Sequence, residues 1–176
     1  MSFLGLKMKS AIQSLEKQMK KLKNDNNVSL NKIHKIGILA DSRLFGSYDI
    51  TRNLRQKLGI SNERKIEIII FENLKDDFVT QHYSVFSEKD FGMYGKVKAS
   101  NVKSFVEDDF DLLINYCNHD SVYTNLVLVK SKAKFKVGFL DETYRDVYNF
   151  TIEIEGNKVD VFNDELAKYL KILKLV

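Results

Sequence analysis

Two short stretches of this chain gather residue types that can do chemistry. Tyr116-Cys117-Asn118-His119-Asp120 places a thiol, an imidazole and a carboxylate side by side, a set able to supply a thiolate nucleophile or metal ligands. Asp41-Ser42-Arg43-Leu44-Phe45-Gly46-Ser47 offers a carboxylate, a guanidinium and one glycine. Each follows an apolar run that reads as a strand, and open α/β sheets bind ligands beyond the carboxyl ends of their strands. A nucleotide-like small molecule bound there would be held by Asp41, Arg43, Gly46, Ser47, Asn118, His119 and Asp120.

The details weaken that reading. Cys117 and His119 are two residues apart, and nothing else in the chain supplies a fixed third partner. Cys117 is therefore read as a small core residue at a strand end, and His119 with Asp120 as a polar turn. A dinucleotide site needs closely spaced glycines so that backbone can approach the pyrophosphate, and Gly46 stands alone. No Walker-type glycine-lysine loop occurs. His34 and His82 are isolated, so neither a metal nor a cofactor is expected. Phe91, Tyr94 and Phe105 have faces on which bases can stack, but at this density of aromatics they are assigned to the core.

Charge is more informative. Residues 1–36 hold eight lysines against two acids, Glu16 and Asp25. The whole chain is +4, so the rest is nearly neutral and slightly acidic. Lys9, Lys17, Lys20, Lys21 and Lys23 make this basic arm, and Lys130, Lys132, Lys134 and Lys136 alternate around Ala133 and Phe135. On a strand that alternation puts four lysines on one face. A basic arm on a neutral body points to an anionic partner.

Size and composition bound the rest. A chain of 176 residues, 44% hydrophobic and 30% charged, suits one soluble domain with a real core. No apolar run approaches the ~20 residues that span a bilayer. The start carries no signal-peptide or myristoylation pattern. The single cysteine excludes an intrachain disulfide, and a cytoplasmic location is expected. Proline is absent, so element ends rest on Gly, Asn, Asp and Ser alone.

The elements that must position these residues follow from periodicity. Leu4, Met8, Ile12, Leu15, Met19 and Leu22 fall on one stripe of a helix, with the arm lysines off it. That stripe can pack on the body, pair with a partner helix, or lie against an anionic surface such as RNA phosphates or, less suitably, lipid headgroups. Asn24-Asp25-Asn26-Asn27 breaks the helix. Residues 1–27 are thus an arm and linker, and 28–176 a single domain. Ile36–Ala40, Ile66–Phe71, Leu112–Tyr116 and Phe135–Phe139 read as buried strands, and Phe150–Ile154 as an edge strand. Helices are expected from a Ser47 cap to Leu58, from an Asn101 cap over Val102, Phe105 and Val106, and over Val122–Lys130. A closing helix is expected from an Asn163 cap, with Leu166, Tyr169, Leu170 and Leu173 inward. Alternating strands and helices predict a Rossmann-like three-layer α/β sandwich with a mostly parallel sheet, preceded by the basic amphipathic helix.

The segments Phe110–Asn115 and Ser131–Phe139 resemble the N-terminal Rossmann-like half of heptosyltransferase-type glycosyltransferases. The resemblance implies a strand–helix–strand packing unit. Those enzymes hold their sugar nucleotide chiefly with a second domain that this chain lacks, so a complete enzyme of that type is not expected. Lys35–Leu39, Phe110–Ile114, Lys134–Gly138, Lys168–Leu173 and the basic N-terminal helix also resemble an uncharacterised family of small proteins from flavobacteria and their relatives. Together these features predict a non-enzymatic domain that docks through its basic helix on an anionic assembly. That assembly is expected to contain RNA, with the ribosome the first candidate.

Overall fold

The computed structural model describes residues 3–22, 32–45, 49–73, 84–117, 121–154 and 158–176. Six strands form one sheet: β1 (Lys35–Asp41), β2 (Lys65–Phe71), β3 (Val85–Phe86), β4 (Leu112–Asn115), β5 (Phe135–Phe139) and β6 (Phe150–Ile152). Their spatial order is β3-β2-β1-β4-β5-β6, and every pairing is parallel. The order reverses at β1, so β1 and β4 flank the switch point of a doubly wound sheet.

Side chains alternate between two apolar layers, as a strand's two-residue period requires. Ile36, Ile38, Leu112, Ile114 and Val137 enter one layer, with α3 (Ile50–Leu58) and α6 (Val159–Ile172). Leu39, Ile69 and Leu113 enter the other. There they meet α4 (Ser100–Glu107), α5 (Val122–Lys130) and the arm helix α1 (Phe3–Leu22). Gly37 is needed because a Cβ would come within 2.8 Å of the Phe110 ring. A four-residue helix, α2 (Ser42–Phe45), follows β1 directly.

The arm covers the body because α5 demands it. Seven consecutive residues of α5, Tyr123 to Val129, are buried. A helix apolar on all sides needs cover on the side away from the sheet as well, and α1 packs there. Its docking face joins Ser10 and Ala11 to the C-terminal half of the expected stripe: Leu15 is buried and Met19 and Leu22 pack partly buried on the same cluster, whereas Leu4, Met8 and Ile12 are exposed. Small residues at 10 and 11 let α1 approach closely. Polar contacts fix its register. Lys7 Nζ donates to the Glu88 carbonyl at 2.6 Å, and the Tyr94 N–H donates to Ser10 Oγ at 3.0 Å.

Several expected element ends are corrected. α3 is capped by Asp49, whose Oδ1 accepts from the Arg52 N–H at 3.0 Å, and ends at Gly59 in the left-handed region. The expected cap Ser47 lies outside the described residues. α4 begins one residue before Asn101, whose amide instead donates to the Val85 carbonyl at 2.9 Å. Asn163 is no cap. It lies inside α6, fully buried, accepting from the Tyr116 hydroxyl at 2.6 Å and donating to Asn53 Oδ1 at 2.8 Å. Leu166 and Leu170 face inward as expected, while Tyr169 and Leu173 are exposed. Phe91 and Phe105 are core residues, but Tyr94 is 65% exposed.

Candidate functional site

The C-terminal end of α1, the C-terminal end of α4 and the last turn of α5 enclose a cleft of about 560 Å³. Four lysines line it: Lys21 from the arm, Lys96, Lys103 from α4, and Lys130 closing α5. Gln18, Leu22, Val97, Val106 and Val129 complete the floor and walls, with Glu107 at the edge. Among the described residues Glu107 is the one acid of the lining, and it is paired with Lys132. Among the described residues none of the four lysines has a carboxylate partner. Lys130 is half-buried, and this loss of hydration lowers its pKa. The result is a concave, positively charged surface with an apolar floor, suited to phosphate or another multivalent anion.

Each element end has a local reason to be there. Lys130 ends α5 because Ser131 takes an extended conformation and its N–H closes the last turn on Val127 O. Val97 is held by an antiparallel bridge to Phe91, which fixes Lys96 on the turn between them. Lys21 reaches the site only because Leu15 and Ala11 dock the arm.

The other expected lysines distribute differently. Lys9, Lys17 and Lys20 are exposed on the arm, and Lys23 lies outside the described residues. The expected one-faced array of Lys130, Lys132, Lys134 and Lys136 does not form, because β5 starts only at Phe135. Lys130 belongs to α5, Lys132 bonds Glu107, and Lys134 Nζ bonds Asp111 Oδ1 at 2.7 Å. Burial opposes ionisation of Asp111, but donation from Lys134 and from the backbone N–H groups of His34 and Lys35 outweighs it and lowers its pKa. Lys136 is buried in β5, and desolvation pushes its pKa down to about 8.

At the switch point, Asp41 ends β1, buried, and is held by Arg43. The guanidinium donates to Oδ1 at 2.8 Å and Oδ2 at 2.6 Å, and the Arg43 N–H to Oδ1 at 2.9 Å. Cys117 follows β4, and burial raises its pKa well above the usual thiol value, first by desolvation and then through the Asp41 charge. Asn115 links the two sides of this end, donating to the Tyr148 hydroxyl at 2.7 Å and accepting from the Cys117 N–H at 3.0 Å. Gly46, Ser47, Asn118, His119 and Asp120 lie outside the described residues. Among the described residues no cluster of three metal-ligating side chains occurs, and no helix is long and apolar enough to cross a membrane.

Lys96 and Lys103 carry no periodic pattern, so sequence reasoning missed them. The uniform burial demand of α5 was the signal that the arm, and Lys21 with it, must pack beside them. The sequence profile of a family of unknown function, DUF6913, matches residues 7–173, and the chain belongs to that family. No curated protein and no solved structure matches it.

Proposed function

We propose that this member of DUF6913 is a non-enzymatic interaction protein. It docks on an anionic assembly containing RNA, with the lysine-lined cleft between arm and body as its phosphate-binding site. One observation supports this most: Lys21, Lys96, Lys103 and Lys130 converge on one concavity with no carboxylate partner among the described residues, while Glu107, the acid among the described residues of the lining, is taken by Lys132. A polyanion that these lysines neutralise releases its own condensed counterions on binding. Lys17 stands one turn before Lys21 on the same side of the arm, extending the positive surface outward. In a bacterial cytoplasm, the setting that the flavobacterial resemblance implies, the ribosome presents the largest such phosphate surface.

Gradient sedimentation of a native lysate tests this reading. The chain should travel with ribosomal particles at low salt and return to the top fractions after a high-salt wash. Recovery at the top of the gradient at low salt would contradict it.

A second reading, a small nucleotide-like ligand at the strand C-terminal ends, is favoured by one observation. The Ser42 hydroxyl is buried beside Asp41 and Arg43 with no hydrogen-bond partner among the described residues, as a ligand-binding group is before its ligand arrives. Thermal-shift titration with nucleosides and nucleotides separates the two, since a ligand at 100 times its Kd stabilises by about 2.7 kcal/mol. No shift with any of them leaves the first reading standing alone.

A further inference from the structure

Tyr94 is the one aromatic of the connection between β3 and α4 that the fold displays instead of burying. Phe86 and Phe91, which precede it, are fully inside, and Phe105, which follows, is nearly so. Tyr94 is 65% exposed and takes φ 56° and ψ 29°, left-handed geometry that L residues other than Asn and Asp rarely adopt. Strain of this kind persists only where the surroundings over-determine it, and here they do. The Tyr94 N–H is held by Ser10 Oγ, and that hydroxyl in turn donates to the Lys7 carbonyl at 2.9 Å. The Gly92 N–H donates to the Lys96 carbonyl at 2.7 Å, closing the turn. Gly95 lies so close to Leu126 that a Cβ would come within 2.7 Å. A turn clamped at three points presents a bare phenol ring on its crest.

Tyr94 stands outside the lining of the cleft but two residues before Lys96, so its Cα is no more than about 7 Å from that of a lysine of the cleft. A flat aromatic face beside a row of phosphate-binding ammonium groups is the arrangement by which proteins hold unpaired bases. The backbone tracks the cations and a base stacks on the ring. A duplex keeps its bases stacked on one another and offers the ring nothing. Resting on the reading of the cleft as a phosphate site, we propose that the cleft takes single-stranded RNA and that Tyr94 is its base-stacking platform.

The test uses the full chain and four fluorescent probes: a twelve-nucleotide oligoadenylate, a single strand of mixed sequence, the duplex made from that mixed-sequence strand, and inorganic polyphosphate of similar charge. Tyr94→Asn removes the ring with a residue that tolerates the left-handed backbone, so the turn survives; Tyr94→Phe keeps the ring. Base–aromatic stacking predicts that Tyr94→Asn weakens both single strands roughly 5- to 150-fold. Polyphosphate affinity and the salt dependence of binding should stay unchanged, and Tyr94→Phe should bind like the parent. Single strands should bind more tightly than the duplex. Equal losses toward RNA and polyphosphate, no loss at all, or preference for the duplex would each overturn the stacking role. If polyphosphate binds and Tyr94→Asn is neutral toward RNA, only this inference falls. If no probe binds, the phosphate reading of the cleft falls with it.

Discussion

Replacing Leu15 by Ala tests whether the arm is part of the folded body. Leu15 is 3% exposed and belongs to the apolar cluster that includes Leu126, Val127 and Phe91, while Ile12 on the same helix is 40% exposed. Truncating a buried leucine removes transfer free energy and leaves a void, costing about 2–5 kcal/mol. A mid-range loss of about 3 kcal/mol corresponds, for a chain of this length, to a fall in Tm of about 6–12 °C. Ile12→Ala removes a half-wet side chain from the same helix and should cost less than about 1 kcal/mol. The pair should be compared by urea denaturation followed by far-ultraviolet circular dichroism, which also reports any change in m-value. A single cooperative transition shifted for Leu15→Ala and not for Ile12→Ala is expected. If both variants melt like the parent, α1 does not pack as described, and a cleft that depends on Lys21 cannot exist in solution.

Two further outcomes follow from buried groups. Lys136→Met should stabilise the protein at pH 7 by on the order of 3 kcal/mol, since burial depresses the lysine from 10.5 to about 8 and each pKa unit is worth about 1.4 kcal/mol. Below pH 8 the folded chain carries a buried ammonium that the unfolded chain hydrates. Between about 8 and 10.5 the folded form alone has lost its proton, so parent stability should rise with pH across that window and the Met advantage should shrink. An advantage that is constant from pH 7 to 10 would refute the assignment. Gly37→Ala should cost about 1–3 kcal/mol, because the new methyl meets the Phe110 ring at 2.8 Å. The check is its denaturation midpoint, and a neutral result would show that Phe110 does not cover β1.

Five of the six strands were legible because they are apolar runs or alternations bounded by polar turns, whereas β3 is only two residues long; α5 was placed to its observed ends from the same contrast. The arm helix was equally plain from its spacing. Its docking face was legible only in part: Leu15, Met19 and Leu22 of the stripe pack on the body, but Ser10 and Ala11 are chosen for closeness and carry no hydrophobic signal. Asn163 looked like a cap because asparagine favours caps, yet it serves a buried network whose partners are 47 and 110 residues away in sequence. The lysines of the cleft come from four separate stretches, and only folding brings them together. The alternation of Lys130 to Lys136 suggested a strand face where the chain in fact passes from a helix through a connection into β5.

The most direct measurement of the central claim is the salt dependence of single-stranded RNA binding by the parent and by a variant with Lys21, Lys96, Lys103 and Lys130 all replaced by Gln. Each phosphate neutralised on a single strand contributes about −0.7 to the slope of log K against log salt. Loss of all four contacts should therefore flatten the slope by about 3 and weaken binding most at low salt, with little change in stability. Equal slopes and equal low-salt affinity for the two proteins would contradict the account.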